Sequence, residues 1–225
     1  MKILDRTPSE NARNYAYRVL LYNIINLELI PGSSVSENEL STVLNLSRTP
    51  IREALIELSK TGLVEILPQR GSYISKIDYD LIEEARFIRV VLENAVLKIV
   101  CETIDPQYLI QLKENVNLQK FCLKHNDFPK LLLLDNDFHK LIYESANKKK
   151  TYDIIHSQMV HFDRLRALSL KATKPTKTVE DHENLLYAIE RKDGELAEIL
   201  MTRHLTRHQM EKSELLSLFP DYFIN

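Results

Sequence analysis

The feature that most constrains this chain is a change of period at Gly62. Ahead of it, apolar residues recur at Tyr15, Val19, Tyr22, Ile25 and Leu29, then at Leu40, Val43 and Leu44, then at Ile51, Ala54, Leu55 and Leu58. Each set forms one stripe of a helix. Behind it, Leu63-Val64-Glu65-Ile66-Leu67 and Ser72-Tyr73-Ile74-Ser75 alternate around Pro68-Gln69-Arg70-Gly71, which is the pattern of a two-stranded hairpin. Three short helices followed by a hairpin predict a winged helix-turn-helix, whose third helix enters a DNA major groove and whose hairpin tip reaches the adjoining backbone or minor groove.

The punctuation agrees. The first helix is expected over residues 11–29, ended by Pro31-Gly32. Ser36 and Glu39 have the spacing of a capping box for the second helix, and Asn45 breaks it. Ser47 is placed to cap the third, with Pro50 in its first turn, where a missing N–H is tolerated.

Beyond Lys76 no further strand pattern occurs. Helical stretches are expected over 78–102, 106–124, 127–146, 149–171, 178–191 and 194–216, divided at Asp105-Pro106, Asn126-Asp127, Asn147, Pro175 and Asp193-Gly194. Only 4 glycines in 225 residues disfavour a glycine-rich phosphate loop or a turn-rich sheet protein. The expected fold is mainly α. A winged helix-turn-helix over 1–76 precedes an antiparallel six-helix bundle over 77–225 whose facing side chains can build a site in its core. The last residues, Leu218 to Asn225, are expected to fray.

Charge is nearly balanced, 30 Lys plus Arg against 32 Asp plus Glu, so a nucleic-acid partner has to be argued from local groups. Cys101 and Cys122 lie in apolar helical surroundings and read as buried thiols. The first residues carry no apolar leader, and the longest apolar runs, such as Leu131 to Leu134, fall far short of the roughly 18 residues a membrane helix needs. A cytoplasmic protein with no membrane partner is expected.

Ser47, Arg48, Thr49 and Arg52 set two hydroxyls and two guanidinium groups at the N-terminal end of the third helix. Arginine pairs bidentately with guanine, and hydroxyls and helix-terminal N–H groups suit phosphate. Arg70 and Gly71 stand at the hairpin tip. Together with Pro31-Gly32, Ser36 to Leu40, Leu46 to Leu55, Leu58 and Gly62 to Val64, these residues resemble the DNA-reading domain of the GntR family of bacterial transcription regulators. The resemblance covers nearly all of 12–76. It implies a homodimer on short inverted repeats of double-stranded operator DNA, with Arg48, Thr49, Arg52 and the Arg70-Gly71 tip at the DNA. One position departs: Asn38 stands where many relatives carry arginine, which points to a different operator preference.

In the second part, Asp135 and His139 are four apart and share a helix face, while His182 and His204 fall on the last two predicted helices. Three imidazoles and a carboxylate suit a divalent Zn, Ni, Mn or Fe ion with positions left open. Asp137 competes with Asp135 but points from a different face. His125, His156, His161 and His208 read as structural or exposed. Residues 78–216 resemble the FCD effector domain of the FadR subfamily through Arg89-x-x-x-Glu93, Asp135-x-x-Phe138-His139, Asp181-His182 and Met201-x-x-His204. Six helices place it nearer the VanR-like group. That resemblance implies a divalent metal on Asp135, His139, His182 and His204, and a small carboxylate effector beside it. Arg89 either meets the effector's carboxylate or pairs with Glu93 one turn on. Arg164 and Arg166 are weaker candidates for the cavity wall.

The expected function is therefore a ligand-responsive transcription regulator, a repressor by family expectation, and not an enzyme. A metal-dependent hydrolase built on the Asp and His residues is the alternative. A third reading uses the winged helix for protein contacts alone and predicts no salt-dependent affinity for DNA.

Overall fold

The computed structural model of the protein describes residues 1–172 and 176–224; the break expected at Pro175 lies outside the described residues. The N-terminal part runs α1 (Ala12–Ile25), β1 (Ser34–Val35), α2 (Glu37–Leu44), α3 (Arg48–Lys60), β2 (Val64–Leu67) and β3 (Gly71–Ile74). Its core is formed by Val19, Leu20, Ile24, Leu40, Leu44, Ile51, Leu55, Leu58 and Leu63, the stripes of the three helices and the start of the wing.

Two details differ from the sequence expectation. The first helix stops at Ile25, not near Leu29, because Leu27 takes a left-handed backbone (φ 59°) and buries its side chain in the core of the C-terminal part. The Glu28 and Leu29 amides then donate to the Asn23 carbonyl at 2.9 and 3.0 Å, so the turn is closed before Pro31 is reached. The hairpin also gains a third strand. β1 pairs antiparallel with β3 (Val35 opposite Ser72) to give the order β1-β3-β2, and at two residues it is too short to show an alternating pattern. β2 and β3 pair from Val64 with Ile74 to Leu67 with Gly71, the register of the expected wing.

Local chemistry fixes the helix ends. Ser36 accepts the Glu39 N–H at 3.5 Å and Asn45 closes α2 in the left-handed conformation (φ 51°). Ser47 sits at the cap position of α3 with extended backbone but makes no side-chain cap bond.

The C-terminal part comprises α4 (Tyr79–Thr103), α5 (Pro106–His125), α6 (Phe128–Ser145), α7 (Lys149–Gln158), α8 (Val160–Ala172), α9 (Thr176–Glu190), α10 (Gly194–Thr206) and α11 (His208–Leu218). The Asp78, Asp105, Asp127 and Asp193 carboxylates accept first-turn N–H groups of α4, α5, α6 and α10, which satisfies donors that helix ends leave open. The six expected helices thus become eight pieces among the described residues. Two expected helices are interrupted, at Met159 and at Arg207, where the sequence offers neither proline nor glycine. Packing supplies the reason at Met159: it is buried against the bundle core, and α8 restarts beyond it with a face on the N-terminal part.

The tail does not fray as expected. After a 3-10 turn at Pro220–Tyr222, Phe223 is buried and stacks on Tyr79 with ring centroids 5.2 Å apart. The Ile77 N–H donates to the Tyr222 carbonyl at 2.8 Å and the Ile224 N–H to the Ile77 carbonyl at 3.0 Å, which ties the tail to the segment joining the two parts. No described helix is long and apolar enough to cross a membrane.

The two parts meet across α8. Val160 packs on the N-terminal core, and a His161 ring nitrogen, Nε2, lies 2.8 Å from the Thr61 carbonyl. Gly62 has φ +72°, a conformation that favours glycine, and a Cβ there would also stand a tight 3.3 Å from the same nitrogen. Arg164 is fully buried and donates to the Ser75 carbonyl at 2.5 Å and toward Ser75 Oγ at 3.4 Å.

Candidate functional site

Asp135 and His139 on α6, His182 on α9 and His204 on α10 come together, with one ligand-type atom from each within 4.8 Å of all the others. His182 Nε2 lies 3.3 Å from His204 Nε2 and 3.6 Å from Asp135 Oδ1, and His139 Nε2 lies 3.8 Å from Asp135 Oδ2. Asp137, the competing carboxylate, is exposed on the other face. Phe138 stacks on His182 (centroids 4.2 Å, 15° between planes) and closes one side with apolar surface.

His139 and His182 are each oriented by a hydrogen bond at the other ring nitrogen, and His204 faces a carboxylate across a longer contact. His139 Nδ1 lies 2.5 Å from Glu93 Oε2, His182 Nδ1 lies 2.8 Å from Gln119 Oε1, and His204 Nδ1 lies 3.5 Å from Asp181 Oδ2. Gln119 is held in turn, its amide donating to Asn115 Oδ1 at 2.7 Å while Asn115 donates to the Leu134 carbonyl at 3.0 Å. With these partners on Nδ1, the three Nε2 atoms face one another, which is how ligating histidines are normally prepared.

Electrostatics reinforce this. Burial, and the mutual repulsion of the rings, push His182 well below its ordinary pKa, and burial takes His204 down to about 4 against the pull of Asp181. His139 is lowered by burial and by the Arg89 charge. All three are uncharged near neutrality, the form a metal requires. Burial alone would raise Glu93 and Asp181, yet both sit at about 2, Glu93 through Arg89 and His139, Asp181 through His204 and Arg207. His139 Nε2 is buried with no hydrogen-bond partner in the protein. A buried nitrogen aimed at two imidazoles and a carboxylate without a partner fits a divalent cation.

Beside the cluster lies a cavity of about 290 Å³, counted to its open mouth. Arg89 reaches it, and also makes the buried ion pair with Glu93 one turn along α4 that the sequence left as an alternative. Arg166 contributes more than its sequence context suggested. It binds Asp135, Asp163 Oδ1 at 2.8 Å and Asn136 Oδ1 at 2.6 Å, and so joins the cluster to the cavity wall. Arg164 lies elsewhere, at the contact with Ser75.

Several lining residues were not picked out from sequence. Tyr143 stands one turn beyond His139 on the same face of α6, a signal that was available. His156 lines the cavity and stacks on Tyr152, and Asp163 completes the wall from α8. Burial raises Asp163 to about 7 against the Arg89 charge. Gln119 and Asn115 could have been noticed as polar residues one turn apart among Leu112, Val116 and Cys122 on a buried face.

At the N-terminal end of α3, Ser47, Arg48 and Thr49 are exposed, as are Arg70 and Gly71 at the wing tip. Gln69 (φ 61°) and Gly71 (φ 98°) turn the chain there, and nothing stands within 4 Å of a Cβ on Gly71, so backbone conformation and not space selects glycine. Arg48 and Arg70 have no ion-pair partner among the described residues, whereas Arg52 is held 3.0 Å from Glu37 of α2. Two guanidinium groups without an ion-pair partner and two hydroxyls are thus exposed at the start of α3 and at the wing tip.

Residues 13–74 match the family of bacterial regulatory proteins named gntR, and residues 84–207 match the FCD domain. This chain belongs to the GntR family of transcriptional regulators. Within it, the chain is 32% identical over 199 residues to the HTH-type transcriptional repressor RspR of Escherichia coli K12, covering 88% of this chain and 87% of that protein. An uncharacterized HTH-type regulator of Streptomyces ambofaciens is 31% identical over 90% of this chain and 85% of its own length. Among solved structures, E. coli McbR/YncC superposes with a TM-score of 0.76 at 21% identity, covering 93% of this chain and 99% of that one. A GntR-type regulator of Rhodococcus gives 0.72 at 20% identity, covering 91% and 97%. These two show the same fold. Members of the family are DNA-binding regulators and not enzymes, so the hydrolase alternative falls: a GntR reader joined to an FCD domain accounts for both parts of the chain.

Proposed function

We propose that this regulator is a cytoplasmic homodimeric repressor whose FCD domain holds a divalent metal on Asp135, His139, His182 and His204 and releases operator DNA when a small carboxylate binds there. The observation that carries the reading is the convergence of four donors, with His139 and His182 each fixed by a hydrogen bond at the far ring nitrogen. The metal would supply positive charge that a carboxylate oxygen can complement. Zn, Ni, Mn and Fe all match the donor set. Repression is supported by the relative named as a repressor.

Residues 1–76 serve as the reader and 77–225 as the sensor in this reading. Ser47, Arg48, Thr49, Arg52, Arg70 and Gly71 meet DNA. Arg89, held by Glu93, faces the effector. The signal has a short physical route. On α8, Asp163 and Arg166 line the cavity while His161 and Arg164 hold the Thr61 and Ser75 carbonyls of the reader. An effector that favours one position of α8 changes how the reader is held, and it acts only through its different affinity for the two positions.

The test is elemental analysis of purified protein beside His182→Ala/His204→Ala, with anisotropy of both on DNA flanking the gene. The native chain should carry about one divalent ion per protomer, and the double variant none while remaining helical. Full metal retention by the variant refutes the assignment.

A further inference from the structure

The joint between the two parts, residues 75–78, is held from three sides. Ser75 is tied to the reader: its N–H donates to the Leu63 carbonyl at 3.0 Å and its hydroxyl to the Gly62 carbonyl at 2.5 Å, while its own carbonyl receives Arg164 of α8. Asp78 is tied to the bundle, where its carboxylate caps α4. Between them stands Ile77, buried, and both of its backbone groups are paired with the far end of the chain. Its N–H donates to the Tyr222 carbonyl at 2.8 Å, and its carbonyl receives the Ile224 N–H at 3.0 Å.

The tail is seated by more than these two bonds. Phe223 bridges Ile77 in parallel and stacks on Tyr79 in the first turn of α4, with the rings 13° from parallel. Ahead of it, α11 lies on the same end of α4: Gln209 donates to Glu83 at 3.0 Å, and the Lys212 ammonium stands 4.4 Å from the Tyr79 ring centroid. A buried amide and carbonyl are costly to leave unpaired, so Ile77 keeps its place only with the tail beside it. Removing the tail drives this residue toward water and loosens the joint.

We propose that residues 219–224 form a strap that sets the angle between the reader and the bundle, and through it the operator spacing that the protein accepts. The effect on spacing rests on the homodimer proposed above: one fixed angle in each of two copies fixes the distance and phase of two half-sites. The strap is separate from the grip of α8, which acts on Ser75, two residues earlier in the joint.

Hydrogen exchange and DNA binding test this on the full chain, on a chain lacking residues 222–225, and on Ile224→Pro. The proline removes the N–H given to Ile77; Phe223 (φ −107°, ψ 153°) already has the extended backbone that a residue before proline favours, so the stacked ring is kept. Exchange at the Ile77 amide should quicken about tenfold in the deletion and about fivefold in Ile224→Pro, the worth of a backbone hydrogen bond, with α1, α3 and α5 unchanged. Ile224→Ala, which keeps the N–H, should match the native chain.

Anisotropy then compares an operator mapped beside the gene with a single half-site, and with the same operator carrying one extra base pair, which turns one half-site by about 35°. The native chain should lose about tenfold or more in affinity for the added base pair. The deletion should bind the unaltered operator about tenfold more weakly and lose less than about threefold for the insertion, because a loosened reader reaches the second half-site at a lower effective concentration whatever its phase. On the half-site both chains should agree.

An Ile77 amide that exchanges no faster in either variant overturns the proposal. So does an undiminished spacer preference in both, or a loss on the half-site as large as on the whole operator. If the deletion does not fold, Ile224→Pro decides each point. A native chain that binds the half-site as tightly as the operator refutes the homodimer instead, and the effect on spacing falls with it.

Discussion

Glu93 Oε2 lies 2.5 Å from His139 Nδ1, and this contact turns the opposite ring nitrogen toward Asp135. The two residues belong to α4 and α6, so the orientation of a candidate ligand depends on how two helices pack. Glu93 is itself held by Arg89 on its own helix. Replacing Glu93 by Gln should therefore weaken zinc binding by about 10- to 100-fold, the usual effect of losing a group that orients a ligating histidine. Competition with a chromogenic chelator measures this, and a change under about threefold would show that His139 needs no such support.

The exposed arginines should separate by role. Arg48→Ala should cost about 1 to 3 kcal/mol of operator affinity if its fork reads a base, and the loss should vary with operator sequence. Arg70→Ala should weaken binding alike on all sequences and reduce the slope of log affinity against log salt by about one, as expected for a phosphate contact. Anisotropy titrations at several salt concentrations distinguish the two. Unchanged affinity in both variants would remove this face from the DNA.

Arg164 carries a buried positive charge, and burial lowers its pKa to about 10. Its partner is a backbone carbonyl of the wing segment. Arg164→Met fills most of the volume but leaves the Ser75 carbonyl unsatisfied, which should destabilise the protein by about 1 to 3 kcal/mol. Urea unfolding measures the loss, while chelator competition should show zinc affinity intact. A variant as stable as the native protein would mean that the contact contributes no net stability.

His161 gives stability a pH dependence of known sign. Burial pulls its pKa below the ordinary 6.5, so the folded ring stays neutral where the unfolded chain takes up a proton. The unfolded state then binds more protons, and stability that is full above about pH 6.5 is lost as the pH falls below it. His161→Gln removes the titrating ring and keeps an N–H for the Thr61 carbonyl. The drop in urea midpoint between pH 7.5 and 5.5 should be smaller in the variant than in the native chain; equal drops would show that His161 is not titrating on unfolding.

What the sequence determined by itself lies in local chemistry. The stripes of α1 to α3, the left-handed Asn45, the aspartate caps of α4, α5, α6 and α10, and the alternation of the wing all follow from interactions within a few residues. Asp135 and His139 were readable as a pair because helical spacing alone puts them on one face, and the resemblance to FCD domains supplied His182 and His204.

Tertiary structure decided what depends on distant partners. Leu27 leaves α1 early because the bundle core takes its side chain, and the helix break at Met159 carries no local signal. The tail is fixed by Ile77 and Tyr79, more than 140 positions away, so its local composition could suggest only fraying. Arg166 was only a weaker candidate for the cavity wall until packing set it between Asp135 and Asp163. Gln119 gained its role when α5 met α9 at His182. Spacing along one helix fixes which side chains share a face, but which face meets which is settled by burying all the apolar stripes at once, and only that packing brings six helices' polar residues to one site.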